Sequence, residues 1–305
     1  MSDIFFIGVD GGGSKTSYVL MDQEHHIIKT YMNGPSTYDV VSTTTFKETI
    51  LDGLSNVLSD KGFVASVFLG IGGIITSDDE RKVVCLIKES GLFDEHTLVR
   101  ASNDIYNAFY STFSGSGICL IIGTGCVVYG RTYEGKELRL SGYGYLEGDK
   151  GSGYDIAMSA LRILARMYDG ILEFDDTFRM FSFKINVHDK TELIHYFNNA
   201  SRSEIAANAK FLLENSKSRY IQEILDSCAE NFALYVDVLL KKLPDIERKM
   251  TIIGSCGLSP VYLDKILERI HVRHPDIQYI PHLHDADFGA AYYAMVLWKK
   301  EGNKK

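Results

Sequence analysis

Two stretches near the N-terminus, residues 4–9 and 17–21, are apolar or aromatic at almost every position. Short runs without alternation predict strands buried on both faces rather than surface strands. Between them lie Asp10, Gly11, Gly12, Gly13, Ser14, Lys15 and Thr16, so the opening reads as strand, glycine turn, strand. Residues 27–32 predict a third strand, and residues 34–38 a loop. The apolar spacing then changes to a helical period over 42–58. A strand over 64–71, a helix over 78–90 with acidic residues in its first turn and a short strand over 97–100 follow. Ser102 is placed to cap a helix over 103–111. The opening pattern then returns: an apolar run at 116–122, Gly123-Thr124-Gly125, and a second run at 126–131. A helix is predicted over 154–168, and the chain to Leu243 is almost wholly helical. The last long helix there carries Ile221, Ile224, Leu225, Cys228, Phe232, Tyr235, Val236 and Leu239 on one stripe, which is core rather than site. A strand at 250–253, a turn at 254–257, a helix opened by Ser259-Pro260, a strand at 277–280 and a closing helix at 285–298 complete the pattern. Gly289, Ala290 and Ala291 predict close packing of that last helix. Strands followed by helical crossovers imply an α/β fold with a parallel component, to which the hairpins add antiparallel strands.

The glycines bring in chemistry. Three in succession can take positive φ and let a phosphate approach their N–H groups. Asp10, at a buried strand end, suits a hydrated Mg²⁺. The Walker spacing fails because Ser14 stands where lysine is required, the G-x-G-x-x-G register is absent, and both motifs put a helix where 17–21 is a strand. A tight hairpin without a ligand is the alternative. The repeat at 116–131 argues for the ligand: two such units suggest a duplicated domain whose turns face each other across a cleft that takes a nucleotide's phosphates. Residues 142–153 hold five glycines and two carboxylates. They make a ligand loop or a flexible surface loop, and Tyr143, Tyr145 and Leu146 favour the first. Gly254-Ser255-Cys256-Gly257 is small enough for a purine to lie on, or is a plain strand–helix turn.

Composition narrows the class. The chain has 305 residues, is 45% hydrophobic, and carries a net charge of −8. That suffices for two domains with their own cores. It disfavours nucleic acid or an anionic membrane as partner. No apolar run approaches membrane-spanning length, no signal peptide is expected, and the basic run 299–305 reads as a solvated tail. Cys85, Cys119, Cys126, Cys228 and Cys256 are scattered, with no C-x-x-C pair, as in a reduced cytoplasmic protein without structural zinc. His282 and His284 lack a third ligand and read as surface or interface residues.

The ordered set DGGGSKT, SND before a helix, IGTG, GYGYLEGDKGSGY, GSCG and a final HDADFGAA helix resembles the N-acetylglucosamine kinase/BadF-type branch of the actin-like sugar kinase/Hsp70 ATPase superfamily. The resemblance spans essentially the whole chain. It implies two ribonuclease-H-like domains with mixed five-stranded sheets around a nucleotide cleft, closing on the sugar. Residues 1–112 with 286–305 would form one domain, and 113–285 the other, with a helical insert at about 154–243. By position, Asp10, Gly12, Gly13, Ser14, Lys15 and Thr16 would belong to the first phosphate loop, with Mg²⁺ held by Asp10 through water. Gly123, Thr124 and Gly125 would form the second, and Gly254 and Ser255 would flank the adenosine. Asp104 matches the catalytic base. Ser36, Thr37, Asn103, Cys126, Val127, Gly142, Tyr143, Gly144 and Asp149 fall where the family contacts its sugar.

The residues themselves support these roles. A carboxylate in the first turn of a helix can orient a sugar hydroxyl and accept its proton during phosphoryl transfer. Alternatively, Asp104 stabilises the helix start, and Asp149 is a turn residue bonded to its own backbone. The implied protein is an ATP-dependent, cytoplasmic, homodimeric kinase phosphorylating an amino sugar, N-acetylglucosamine or glucosamine, on its 6-hydroxyl. Tyr38 replaces an Asn of the animal enzymes, Tyr143 a Trp, and Lys150 an acidic residue. The resemblance therefore implies kinase chemistry more firmly than it implies N-acetylglucosamine, and glucosamine, N-acetylmuramic acid and a plain hexose stay open as the acceptor. Two other readings share the motifs: an ATPase activating a 2-hydroxyacyl-CoA dehydratase, disfavoured by the isolated cysteines and the helical insert, and a non-catalytic sugar sensor, disfavoured by the presence of Asp10, Asp104 and Asp149.

Overall fold

The computed structural model describes residues 4–58, 62–144 and 149–302. The apolar runs form hairpins as the pattern predicts. β1 (Ile4–Gly11) pairs antiparallel with β2 (Thr16–Met21), and β2 with β3 (Ile27–Asn33). After α1 (Thr43–Val57), β4 (Phe63–Ile71) returns parallel to β1. α2 (Ser77–Glu89) then leads to β5 (Leu98–Ser102), parallel to β4. The sheet order is β3-β2-β1-β4-β5. β1 is central, which explains its unbroken apolar sequence: Phe6, Ile7 and Val9 have no exposed surface.

α3 (Ile105–Tyr110) follows β5. Ser102 does not cap it. Ser102 is the last residue of β5, and its hydroxyl donates to Glu80 Oε1 at 2.6 Å. Asp104 stands at the N-cap position without a side-chain cap bond, and Asn103, just before it, accepts from the Ile105 N–H at 3.2 Å.

The second unit repeats this plan. β6 (Gly117–Ile122), β7 (Cys126–Arg131) and β8 (Glu137–Ser141) are antiparallel neighbours. β9 (Lys249–Ile253) runs parallel to β6, and β10 (Gln278–Tyr279) parallel to β9. The order β10-β9-β6-β7-β8 is the first sheet's order read from the other edge. Among the described residues, the first unit has α1 between its third and fourth strands, and the second has α4 (Gly153–Tyr168), α5 (Asp176–Lys184), α6 (Lys190–Asn199), α7 (Arg202–Glu214) and α8 (Arg219–Lys242). The stripe predicted on α8 is core: Ile221, Leu225, Cys228, Phe232, Val236 and Leu239 have no exposed surface. α9 (Pro260–Arg273) joins β9 to β10. Ser259 stands at its N-cap position without a side-chain cap bond, a departure from the sequence expectation.

The closing helix α10 (Ala286–Gly302) packs on β1 of the first unit. Contacts divide the chain into Met1–Ser114 with His282–Lys305, and Gly115–Pro281. Ala290, Ala291 and Ala294 are fully buried in the first unit. The approach is so close that a Cβ on Gly8 would lie 2.0 Å from the Ala291 amide nitrogen. Among the described residues no helix is long and apolar enough to cross a membrane.

Candidate active site

In the first unit the turn after β1 is closed by the Gly12 N–H donating to the Lys15 carbonyl at 3.0 Å. Gly13, Ser14 and Lys15 are exposed at its tip. Thr16 does not join them. It is fully buried, donates to the Gly34 carbonyl at 2.7 Å and lies 2.8 Å from Ser36 Oγ, which is also buried. Thr16 and Ser36 thus brace the turn against the following loop instead of offering hydroxyls to a ligand. Ser36 N–H donates to Gly12 O, and Gly72 N–H to Gly11 O, so the loops after β3 and β4 are fixed to the turn by backbone.

Gly72 marks the convergence. A Cβ placed there would lie 3.4 Å from Asp104 Oδ2, 3.5 Å from Gly11 O and 3.7 Å from Thr37 Cγ2. The carboxylate matched to the catalytic base, the first glycine turn and the loop at Thr37 therefore meet around one point. Asn103 holds the approach to Asp104, donating from Nδ2 to Ile74 O at 3.1 Å; its amide braces the loop.

Asp10 lies beside them. Its Oδ1 accepts from Asn107 Nδ2 at 2.7 Å, an amide that also donates to Gly70 O at 2.9 Å. Burial pushes the Asp10 carboxyl up to about 6; the Asn107 hydrogen bond opposes this, and the Asp104 and Asp287 carboxylates add to it. Asp287, from α10, is itself raised, chiefly by burial. Asn107 and Asp287 were not singled out in the sequence. The first stands three residues after Asp104, on the same helical face; the second lies in the quoted closing motif.

These carboxylates fit a hydrated cation. Among the described residues no three His, Cys, Asp or Glu side chains converge closely enough to ligate a metal directly. An ion here would be held through water, as Mg²⁺ commonly is, and would offset the repulsion felt at Asp10.

In the second unit the turn between β6 and β7 is closed by the Gly123 N–H donating to Gly125 O at 2.9 Å. It is tied to the start of α4 by the Gly153 N–H donating to Gly123 O at 2.8 Å. Gly254, at φ 98°, sits where a Cβ would lie 2.5 Å from Ile122 O, which lets the turn after β9 close down beside the glycine turn. A cavity of about 600 Å³ opens there, lined by Gly123, Thr124, Ser255 and Cys256 and walled by α7 through Ser203, Ala206, Ala207, Lys210 and Leu213. Its size and largely apolar wall suit a nucleoside. The structure thus unites the second glycine turn with the predicted purine shelf. The α7 wall escaped the sequence reading, because a helix of small residues carries no ligand signature.

The residues matched to sugar contacts in this unit are placed less openly. Cys126 and Val127 begin β7 with buried side chains. The Cys126 thiol lies 3.3 Å from the Lys150 carbonyl, and burial pushes it up to about 12. Any sugar contact from these two is through backbone. Gly142, with its carbonyl held by Arg139 Nη2 at 2.7 Å, and Gly144 flank Tyr143, which is 77% exposed. Residues 145–148, including Tyr145 and Leu146, lie outside the described residues. Asp149 is buried and ion-paired with Arg202 at 2.9 Å. A separate cavity of about 420 Å³ between the starts of α5 and α8, beside Asp175 and Ser218, contains none of the sequence candidates.

Two α/β units built on the same mixed sheet, one with a glycine turn among carboxylates and one with a glycine turn at a nucleoside-sized cavity, define an ATPase-type scaffold. The chain belongs to the BadF/BadG/BcrA/BcrD ATPase family, whose sequence profile matches residues 7–294. It is 27% identical to an N-acetylmuramic acid/N-acetylglucosamine kinase of Clostridium acetobutylicum, covering 95% of this chain and 98% of that one. It is also 27% identical to an N-acetyl-D-glucosamine kinase of Dictyostelium discoideum, over 97% of this chain and 99% of that one. The fold matches that of a protein assigned as an N-acetylglucosamine kinase from Chromobacterium violaceum, with a TM-score of 0.74 at 18% identity, covering 95% and 98% of the two chains. A ROK family glucokinase from Streptomyces griseus shares it at a TM-score of 0.59 and 14% identity, covering 96% and 98%.

Proposed function

We propose that this protein is an ATP-dependent amino-sugar kinase that transfers the γ-phosphate of ATP to a hydroxyl of N-acetylglucosamine or glucosamine, the 6-hydroxyl by family resemblance. The observation that carries this reading is the meeting of Asp104 with the first glycine turn and Thr37 around Gly72. Family membership and the two curated kinase relatives support it.

In this reading Asp104 accepts the proton of the attacking hydroxyl as the new O–P bond forms and the bond to ADP breaks. Asn103 and Thr37 hold the ground around that carboxylate. Lys15, exposed at the turn, offers its ammonium to the phosphates. Asp10, steadied by Asn107, would hold Mg²⁺ through water, and the ion would neutralise charge on the phosphates. Gly123, Thr124, Gly254 and Ser255 would bound the nucleoside cavity of the second unit, while Gly142, Tyr143 and Gly144 would face the sugar. Tyr143, so exposed, suits an apolar sugar face. We place the enzyme in the cytoplasm as a homodimer, acting on small molecules and without nucleic-acid or membrane partners.

A coupled ADP-release assay over N-acetylglucosamine, glucosamine, N-acetylmuramic acid and glucose tests the reading. Release stimulated by an amino sugar is expected. ADP release that no sugar stimulates would leave a sensor or a different ATPase.

A further inference from the structure

The chain leaving β8 enters backbone conformations that side chains rarely adopt. Ser141, Gly142 and Gly144 stand at φ 62°, 72° and 98°. Glycine takes such angles freely, but a serine seldom does, and strain of this kind collects where a ligand is handled. Ser141 is buried, whereas Tyr143, between the two glycines, is 77% exposed. A strained turn thus holds an aromatic ring out in solvent, on a loop matched to the sugar.

One side chain fixes that turn. Arg139, on β8, donates from Nη2 to the Gly142 carbonyl at 2.7 Å. Its guanidinium lies flat against the residue it holds: a Cβ on Gly142 would stand 2.7 Å from Nη2, 3.2 Å from Nε and 3.2 Å from Val127 Cγ2. Any side chain at 142 would push the guanidinium off or the turn away from Val127. The fork is planar and rigid, so it sets a direction as well as a distance. Glu137, two residues back on the same strand face, does not draw it away, because that carboxylate is engaged by Arg131 and by the Tyr129 hydroxyl.

The turn also borders the buried carboxylate of the sugar loop. Burial raises the Asp149 carboxyl, and the Arg202 guanidinium, the Gly144 N–H and the Arg139 guanidinium oppose that rise. The residue after Tyr143 and the residue that holds Gly142 both therefore act at Asp149.

Resting on the sugar-kinase reading above, we propose that Arg139 is a positioning residue for the sugar: it latches the left-handed turn and thereby sets where Tyr143 meets the acceptor. Asp149 keeps its place among the sugar contacts. Arg139 touches no substrate, and its effect reaches the sugar through the Tyr143 ring. Without the bond to Gly142 O, Ser141 relaxes towards ordinary backbone angles and carries Tyr143 with it.

Steady-state kinetics of the full chain test this, with N-acetylglucosamine or glucosamine varied at saturating ATP and ATP varied at saturating sugar. The variants are Arg139→Met, Arg139→Lys, Tyr143→Ala and the double variant of Arg139→Met with Tyr143→Ala, each checked by thermal melting. Arg139→Met is expected to raise the sugar KM roughly tenfold. Its ATP KM and melting temperature should stay as in the wild type, since the side chain is exposed. Arg139→Lys restores the charge without the fork and should lie between. The double variant should have a sugar KM no higher than Tyr143→Ala alone, because the latch acts only through that ring. An unchanged sugar KM in Arg139→Met overturns the proposal. So does an equal rise in the sugar and ATP KM, the mark of a generally loosened unit, and so do losses that simply add in the double variant. If the wild type phosphorylates no sugar, the kinase reading and this proposal fall together. Variants that match a wild type active on the sugar remove the latch alone.

Discussion

The two glycine turns of this chain occupy the same place in the strand order and are each closed by a backbone hydrogen bond, Gly12 N–H to Lys15 O and Gly123 N–H to Gly125 O, yet their surroundings differ. The first lies among three carboxylates, Asp10, Asp104 and Asp287, with Lys15 at its tip. The second lies against a salt bridge and a cavity walled by small and apolar side chains. In the proposed function one copy of the scaffold would supply groups that move a proton and hold a cation, and the other a surface for a flat, largely apolar ligand. The difference arises from what was inserted around the common sheet. α10 brings Asp287 to the first turn, and the helices between β8 and β9 bring α7 to the second.

Substitutions that act on one turn alone would sharpen this contrast. The largest effect is expected at Asp104: Asp104→Ala should lower kcat by about 10²- to 10⁴-fold with ATP binding intact, measured by ADP release and by calorimetry. Near-normal turnover would remove Asp104 from proton transfer.

Next is Asp10. Its carboxyl is held at about 6 in the folded chain against 3.8 ordinarily. The unfolded chain therefore releases this proton at lower pH than the folded one, so stability falls as pH rises from about 4 to about 6. Asp10→Asn should stabilise the metal-free protein by up to about 3 kcal/mol above pH 6, with the gain vanishing below pH 4. Thermal melts across that range, without Mg²⁺ or nucleotide, would show it. A gain independent of pH would mean that the carboxylate is not strained by burial.

At the second turn, Ala207 lines the cavity from an exposed helical position. Ala207→Phe should therefore fill the nucleoside space without disturbing the core, weakening adenosine and ATP alike by about tenfold or more. The smallest effect is expected at the brace: Thr16→Val leaves the Gly34 carbonyl and Ser36 hydroxyl short of a partner and should cost about 1–3 kcal/mol of stability in denaturant titration.

The buried hairpins were readable because strands covered on both faces are apolar throughout, a pattern that needs no tertiary information. β8 was not, since Glu137–Ser141 is short, only its last residue is buried, and its sequence ELRLS carries two charges. The N-cap of α3 falls at Asp104, two residues beyond Ser102, because Ser102 still belongs to β5 and its hydroxyl is taken by Glu80. Thr16 looked like a ligand group beside a phosphate loop, whereas the chain folds its hydroxyl inward onto Gly34. The glycine turns, Asp10 and Asp104 could be found because each sits at a strand end or helix start that local pattern marks. Arg202 could not, because its partner Asp149 is 53 positions away.

In the proposed reaction phosphate leaves ATP for a sugar under the control of Asp104. Phosphorus NMR of the purified protein incubated with Mg²⁺, ATP and N-acetylglucosamine or glucosamine tests it most directly. A new phosphomonoester signal growing in step with ADP, and absent with Asp104→Ala, is the predicted result. Inorganic phosphate appearing with no sugar ester, or an ester formed equally well by the variant, would contradict it.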